Sequence, residues 1–502
     1  MIDTYFYSTL HTAWQNLLKE LSYDPHAPLI FSSGLFLLLF VVFSLIYYLL
    51  RNRKTPRIIF VTLFSYYFYY KSSGIYFLLL AFVTTSDYLI AQKIGRERRQ
   101  SIKKRLLALS LFIDLGLLVY FKYTNFFAGM IADVVHANFQ PWDIFLPVGI
   151  SFFTFQSLSY TIDVYRGRIK PLPRLLDYAF YVSFFPQLVA GPIVRAVDFV
   201  PQIHRRPFVS ETMLARGVYL IVCGLMKKAV ISDYISLNFV DRVFDNPLLY
   251  SGLENLLGLY GYTLQIYCDF SGYSDMAIGL ALLLGFHFQD NFNSPFKSVS
   301  MTEFWRRWHI SLSSWIKDYV YISLGGNRKG KVRTYINLLT SMTLCGLWHG
   351  ASLNFVAWGG IHGILLAGQK FLRTNILHHG KHYQSVGWRK VAAMFLTFQA
   401  VAFTFMIFRM SSWQGCLNML QQIFGNFHAE LLPQVVNAYK YVLMFMLAGY
   451  LTHFLPDRFG TCFVCLLKRG GAIIDSLLLV VVIYIIIQVK SSNIQPFIYF
   501  QF

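Results

Sequence analysis

Residues 29–50 read LIFSSGLFLLLFVVFSLIYYLL and carry no charged side chain. As a helix this run is about 30 Å long, enough to cross the hydrocarbon core of a bilayer. Similar runs recur at 57–71, 74–92, 105–127, 144–162, 175–194, 213–232, 252–286, 335–348, 353–372, 391–409, 435–455 and 471–489. Of the 502 residues, 56% are hydrophobic and 14% charged, where a soluble chain would have about a quarter charged. The sequence predicts an all-α, polytopic integral membrane protein of about 11–13 transmembrane or re-entrant helices. A transmembrane barrel would instead show short segments of alternating hydrophobicity. Run 252–286 is too long for one crossing, and 57–71 and 335–348 are short. Bent, broken or re-entrant pieces are therefore expected, which membranes tolerate where protein buries them.

The net charge of +20 does not point to nucleic acid, because the basic residues sit in short clusters between apolar runs. RNRKTPR (51–57), QKIGRERRQSIKKR (92–105), RGRIKPLPR (166–174), GGNRKGKVR (325–333) and RTNILHHGKHYQSVGWRK (373–390) are expected to be cytoplasmic. That places the amino end and the tail IQPFIYFQF outside, with 57–92 and 105–165 each forming an even pair. Run 175–194 has basic residues on both sides and reads as re-entrant, or as paired with 213–232. Six cysteines are scattered and give no disulfide framework. Cys462 and Cys465 form a lone CxxC, weak evidence for a metal or redox role, and no metal is expected. Residues 1–28 lack a signal-peptide pattern. No separate soluble domain, long linker or internal repeat is visible.

Residues 304–322 read FWRRWHISLSSWIKDYVYI. On a helix, Phe304, Trp305, Trp308, Leu312, Trp315, Ile316 and Tyr319 share one half. Arg306, Arg307, Ser311, Ser313, Ser314, Lys317 and Asp318 fall mostly on the other, as in a helix lying in a membrane interface. His309 falls at the edge of the apolar half, either packing or functional. The next residues, LGGNRKGKVR, combine three glycines with Asn327, Arg328, Lys329, Lys331 and Arg333. Glycines let a backbone approach a ligand, and its amides can join cations in holding phosphate. The pattern is neither a P-loop nor a dinucleotide fingerprint. A basic, flexible patch beside a buried histidine suits an anionic donor such as an acyl-CoA, with Arg306, Arg307, Lys317, Asn327, Arg328 and Lys329 as candidate donor-binding residues.

His349 follows an uncharged run from Tyr335 to Trp348. Intramembrane ionisable residues face a bundle interior or cavity and mark substrate paths. Gly346 and Gly350 beside it leave room for a substrate. Burial disfavours the imidazolium, so a neutral ring able to take a proton from a hydroxyl or thiol is expected. The bland reading is a histidine hydrogen-bonded between helices. Asp269 and Asp275, in YCDFSGYSD (267–275), are the other intramembrane ionisable groups. Each would orient a histidine or pair with a cation from another span.

Five ordered stretches together resemble the membrane-bound O-acyltransferase superfamily. They are LPVGISFFTFQSLSYTIDVYRG (146–167), FFPQLVAGPIVR (184–195), YCDFSGYSDMAIGL (267–280), FWRRWHISLSSWIKDYVYISLGGNRKG (304–330) and LWHGASLNFVAWGGIHG (347–363). The resemblance runs from about residue 29 to the end. It is closest to the bacterial branch that holds the alginate O-acetyltransferase membrane subunit and its peptidoglycan- and cellulose-modifying relatives. It implies a ring of helices around a funnel over 29–502, with a catalytic interfacial segment at about 287–334. It also implies His349 as the catalytic histidine and His309 as the second motif histidine, toward the cytoplasm. Relatives take acetyl from a cytoplasmic donor and pass it to a separate extracytoplasmic acetyltransferase that esterifies a polysaccharide. The resemblance therefore implies acetyl-CoA as donor with no bound cofactor, a partner enzyme that meets the polysaccharide, and the bacterial inner membrane as location. Residues 1–28 precede the usual start, and with Trp14, Leu17, Leu18 and Leu21 they read as an amphipathic helix, a possible partner contact. The D-alanyl branch of the family draws on a carrier protein, but FWRRWHISLS and LGGNRKG look more like the acetyl branch.

Two other classes fit the same composition. A transporter would use the histidines as a proton relay, and would usually show repeats. A non-catalytic scaffold of a polysaccharide export complex would tolerate alanine at both.

Overall fold

The computed structural model describes residues 11, 14–16, 18–25, 28–189, 191–378 and 386–489. The described residues are helices joined by loops, with no strand among them. Three helical stretches among them are long and apolar enough to cross a membrane, 54–96, 100–134 and 388–409, and a further pair, Ala429–Ala438 and Lys440–Phe454, meets at 94°. The tail after residue 489 and Leu17 of the amino-terminal extension lie outside the described residues.

The chain gathers into two compact units interleaved in sequence. The first comprises 1–121, 142–189 and 195–207. Its helices α1 (Lys54–Ser73) and α2 (Phe77–Arg96) are 20 residues each. Gly74, at φ 58, interrupts the helix between them. The Tyr66 side chain lies close to that of Thr84, two positions that a straight helix would hold about 27 Å apart. The chain therefore turns back at Gly74. Phe43, Phe64 and Phe68 surround Phe185 at 5.3, 5.1 and 5.9 Å between ring centroids. Phe185 sits where the run 175–194 breaks. The nine-residue helix Leu175–Ser183 ends at Phe184, and a single turn, Phe185–Leu188, follows. Nine residues rise only about 14 Å, so this run does not cross a bilayer as one helix. Of the extension, Trp14 and Leu18 are exposed, while Lys71 donates to the Glu20 and Ser22 carbonyls and Tyr67 to that of Leu21.

The second unit comprises 122–141, 190–194 and 208–502. Its spine is α4 (Gly252–Leu283), a helix of 32 residues started by a Ser251–Glu254 capping box; α3 (Glu211–Leu225) packs on it. The break expected within 252–286 does not occur. A Cβ on Gly224 would fall 2.5 Å from the Gly272 carbonyl oxygen, and one on Gly279 2.7 Å from that of Gly217. Small residues thus let α3 and α4 touch backbone to backbone. Most of α4 is buried in protein, so its length need not match the bilayer.

The short run 335–348 extends at its polar end into α5 (Lys331–His349), 19 residues long, which packs along α6 (Leu353–Phe371). A Cβ on Gly346 would fall 2.2 Å from the Phe355 carbonyl oxygen and 2.9 Å from the Gly359 Cα. One on Gly350 would lie 2.0 Å from the Phe355 ring. These glycines therefore close a helix seam, and do not leave substrate space as the sequence suggested. Gly346→Val is expected to cost about 3 kcal/mol or more by overpacking. Thermal unfolding of the purified protein in detergent checks this.

Candidate active site

His349 is the last residue of α5 and is buried. The final carbonyls of a helix have no partner within it, and here a lysine and a tyrosine supply them. Lys122 Nζ donates to the Trp348 and His349 carbonyls at 2.9 and 2.8 Å. The Tyr123 hydroxyl donates to the Leu347 carbonyl at 2.7 Å. Both lie in a π turn, Val119–Tyr123, a local widening frequent at functional sites. A cation at a helix carboxyl end is also favoured by the helix dipole. Around the His349 ring, Trp348, Trp358 and Phe408 stand edge-on at 4.9, 5.2 and 5.3 Å.

His309 departs from the single interfacial helix expected over 304–322. Helix Met301–Arg307 stops at Trp308, His309 takes a left-handed backbone (φ 44, ψ 56), and Ile310–Trp315 starts afresh. Its ring is fully buried, not at the edge of an apolar face. A non-glycine residue in that backbone region is strained, which the surrounding structure must enforce. Asn291 does so. Its Oδ1 accepts from the Ser311 N–H at 3.1 Å and the Ser311 hydroxyl at 2.9 Å, and lies 3.2 Å from His309 Nδ1. The Asn291 backbone carbonyl also accepts from Ile310 at 2.9 Å. A backbone N–H can only donate, so the atom facing it is the amide oxygen. His309 Nδ1 must then carry the proton, leaving Nε2 as an acceptor. His309 Nε2 has no hydrogen-bond partner among the described residues. Trp348 links the two histidines, with its ring 6.0 Å from His309.

Lys122, Asn291 and His362 were not singled out from sequence. His362 is fully buried on α6, its ring 4.6 Å from Trp358. Lys122, a cation deep inside the run 105–127, and His362, inside 353–372, fit the rule that flagged His349. Asn291 lies in an aperiodic loop that gives no such signal.

Asp269 and Asp275 each pair with a lysine. Asp269 pairs with Lys228 at 2.5 Å, which also pairs with Asp233 at 2.8 Å. Asp275 pairs with Lys227 at 2.7 Å. Of the donor-binding candidates, Arg307 is engaged by Glu303 and by the Asn293 carbonyl. Arg306, Lys317, Asn327, Arg328 and Lys329 are exposed. The loop carrying the last three has positive φ at Gly325, Gly326 and Gly330, and Asn337 of α5 holds its Gly326 carbonyl at 2.9 Å.

The membrane-bound O-acyltransferase family model matches residues 32–408. A probable alginate O-acetylase of Pseudomonas putida is 36% identical over 501 residues, 94% of this chain and 100% of the relative. A peptidoglycan O-acetyltransferase of Helicobacter pylori is 34% identical over 68% of each chain. A teichoic acid D-alanyltransferase of Bacillus subtilis is 30% identical over 53% of this chain and 70% of the relative. The chain belongs to the membrane-bound O-acyltransferase family and is a helical membrane O-acyltransferase.

Proposed function

We propose that this chain takes an acetyl group from a cytoplasmic donor, acetyl-CoA, and passes it across the bacterial inner membrane for O-acetylation of an extracytoplasmic polysaccharide. The observation that carries this reading is the buried His349, whose backbone carbonyl Lys122 holds and whose ring sits in an aromatic cage. A buried imidazole among aromatic rings is suited to act as a general base. His349 takes the proton of the acceptor as the acyl carbon is attacked. His309, its Nε2 presented as an acceptor, assists on the donor side. The exposed cations Arg306, Lys317, Arg328 and Lys329 attract the anionic donor. A relative named as an alginate O-acetylase is matched over its whole length, and a D-alanyltransferase over 70% of its length, which supports the acetyl branch. An extracytoplasmic partner enzyme completes the ester, and the chain itself crosses the membrane several times.

Sealed proteoliposomes given acetyl-CoA labelled in its acetyl group test the route. Label is expected to reach an acceptor only on the face opposite the donor. Release of label solely on the donor side would contradict transfer across the membrane. Flux of intact donor without thioester cleavage would favour a transporter.

A further inference from the structure

The third buried histidine has a fixed protonation pattern of its own. Trp305 Nε1 lies 3.3 Å from His362 Nδ1. Indole nitrogen only donates, so Nδ1 accepts and the neutral ring carries its proton on Nε2. Nε2 is buried and has no hydrogen-bond partner among the described residues, and neither does the neighbouring Trp358 Nε1. His362 is thus the opposite tautomer of His309: one offers a buried acceptor, the other a buried donor. Trp358 stands between His349 and His362, edge-on to both rings at 5.2 and 4.6 Å.

Leaving a buried donor unmade costs about 1–3 kcal/mol, unless a ligand supplies the acceptor. The reacting end of an acyl thioester offers one, its carbonyl oxygen. We propose that His362 is a third functional histidine of this site, its Nε2–H donating to the carbonyl oxygen of the bound acyl group. The inference rests on the acyl-transfer reading above. As the acceptor oxygen bonds to the acyl carbon, His349 takes the acceptor's proton and the carbonyl π pair moves onto its oxygen. His362 holds that developing anion. When the pair returns, the C–S bond breaks, and the sulfur leaves with its electrons and receives the proton from His349. A neutral donor held in place by Trp305 needs no reorganisation at that moment, which is what makes such groups effective.

Acetyl transfer by the purified full chain in nanodiscs, with acetyl-CoA as donor, tests this. His362→Ala is expected to lower kcat roughly 100-fold or more, with KM for acetyl-CoA unchanged. His362→Gln, whose amide nitrogen reaches the Nε2 position, is expected to stay within about tenfold of wild type, consistent with one retained donor. A purely structural role would lower thermal stability in both variants without the kcat-against-KM split. Wild-type kcat for His362→Ala overturns the proposal. So does a folded His362→Gln without activity, and this variant decides alone if His362→Ala does not fold. His349→Ala runs alongside: if it too keeps wild-type kcat, the underlying acyl-transfer reading fails, and not the assignment of His362 alone.

Discussion

Replacing His349 with alanine is expected to abolish ester-linked acetate on cell-surface polysaccharide while leaving the protein at normal abundance. The base contributes about 10²–10⁴-fold to proton transfer, and cellular acetylation at that residual rate falls below detection. The fold should survive. His349 is the last residue of α5, and the bonds that hold this helix end run to backbone carbonyls, which alanine keeps. Acetate measured after mild alkaline release, with abundance checked by immunoblot, decides it. Acetate near wild type would return His349 to an interhelical packing role.

Lys122→Met is expected to produce nearly as large a loss by a different route. Methionine fills the space of the lysine stem but donates nothing. The Trp348 and His349 carbonyls then lose their donor at about 1–3 kcal/mol for each buried group left unsatisfied. The carboxyl end of α5 is freed to fray, and the His349 ring goes with it. Both activity and melting temperature should fall, and Lys122→Arg, which retains donors, should recover part of each. A fully active Lys122→Met would show that the glycine seam and the Tyr123 hydroxyl hold the helix end without the lysine.

Much of the architecture was legible as apolar runs, because a bilayer forces each backbone polar group to be satisfied within its own helix. The turn at Gly74 and the interruption of 175–194 follow from such reading. Periodicity failed where the protein, not lipid, surrounds the chain. Helix α4 runs unbroken because its carboxylates find lysines at Lys227 and Lys228 and its glycines find another backbone. The amphipathic pattern over 304–322 gave no hint of the left-handed turn at His309, since that turn is enforced by Asn291 from a distant loop. His349 and His309 were visible as ionisable groups in apolar surroundings. His362 was equally visible, as an ionisable group inside the apolar run 353–372, but was not singled out. The partners Asn291 and Trp305, which meet the rings of His309 and His362, and Lys122, which holds the backbone at His349, are tertiary facts that no local pattern encodes.

The chemistry assigned to this protein is acyl transfer by a buried histidine. Its most direct test is the release of free thiol from acetyl-CoA by purified wild type and His349→Ala, in the presence of acceptor. Thiol release by wild type, lowered about 10²-fold or more in the variant at equal thermal stability, is the predicted result. Equal rates in the two proteins would contradict it.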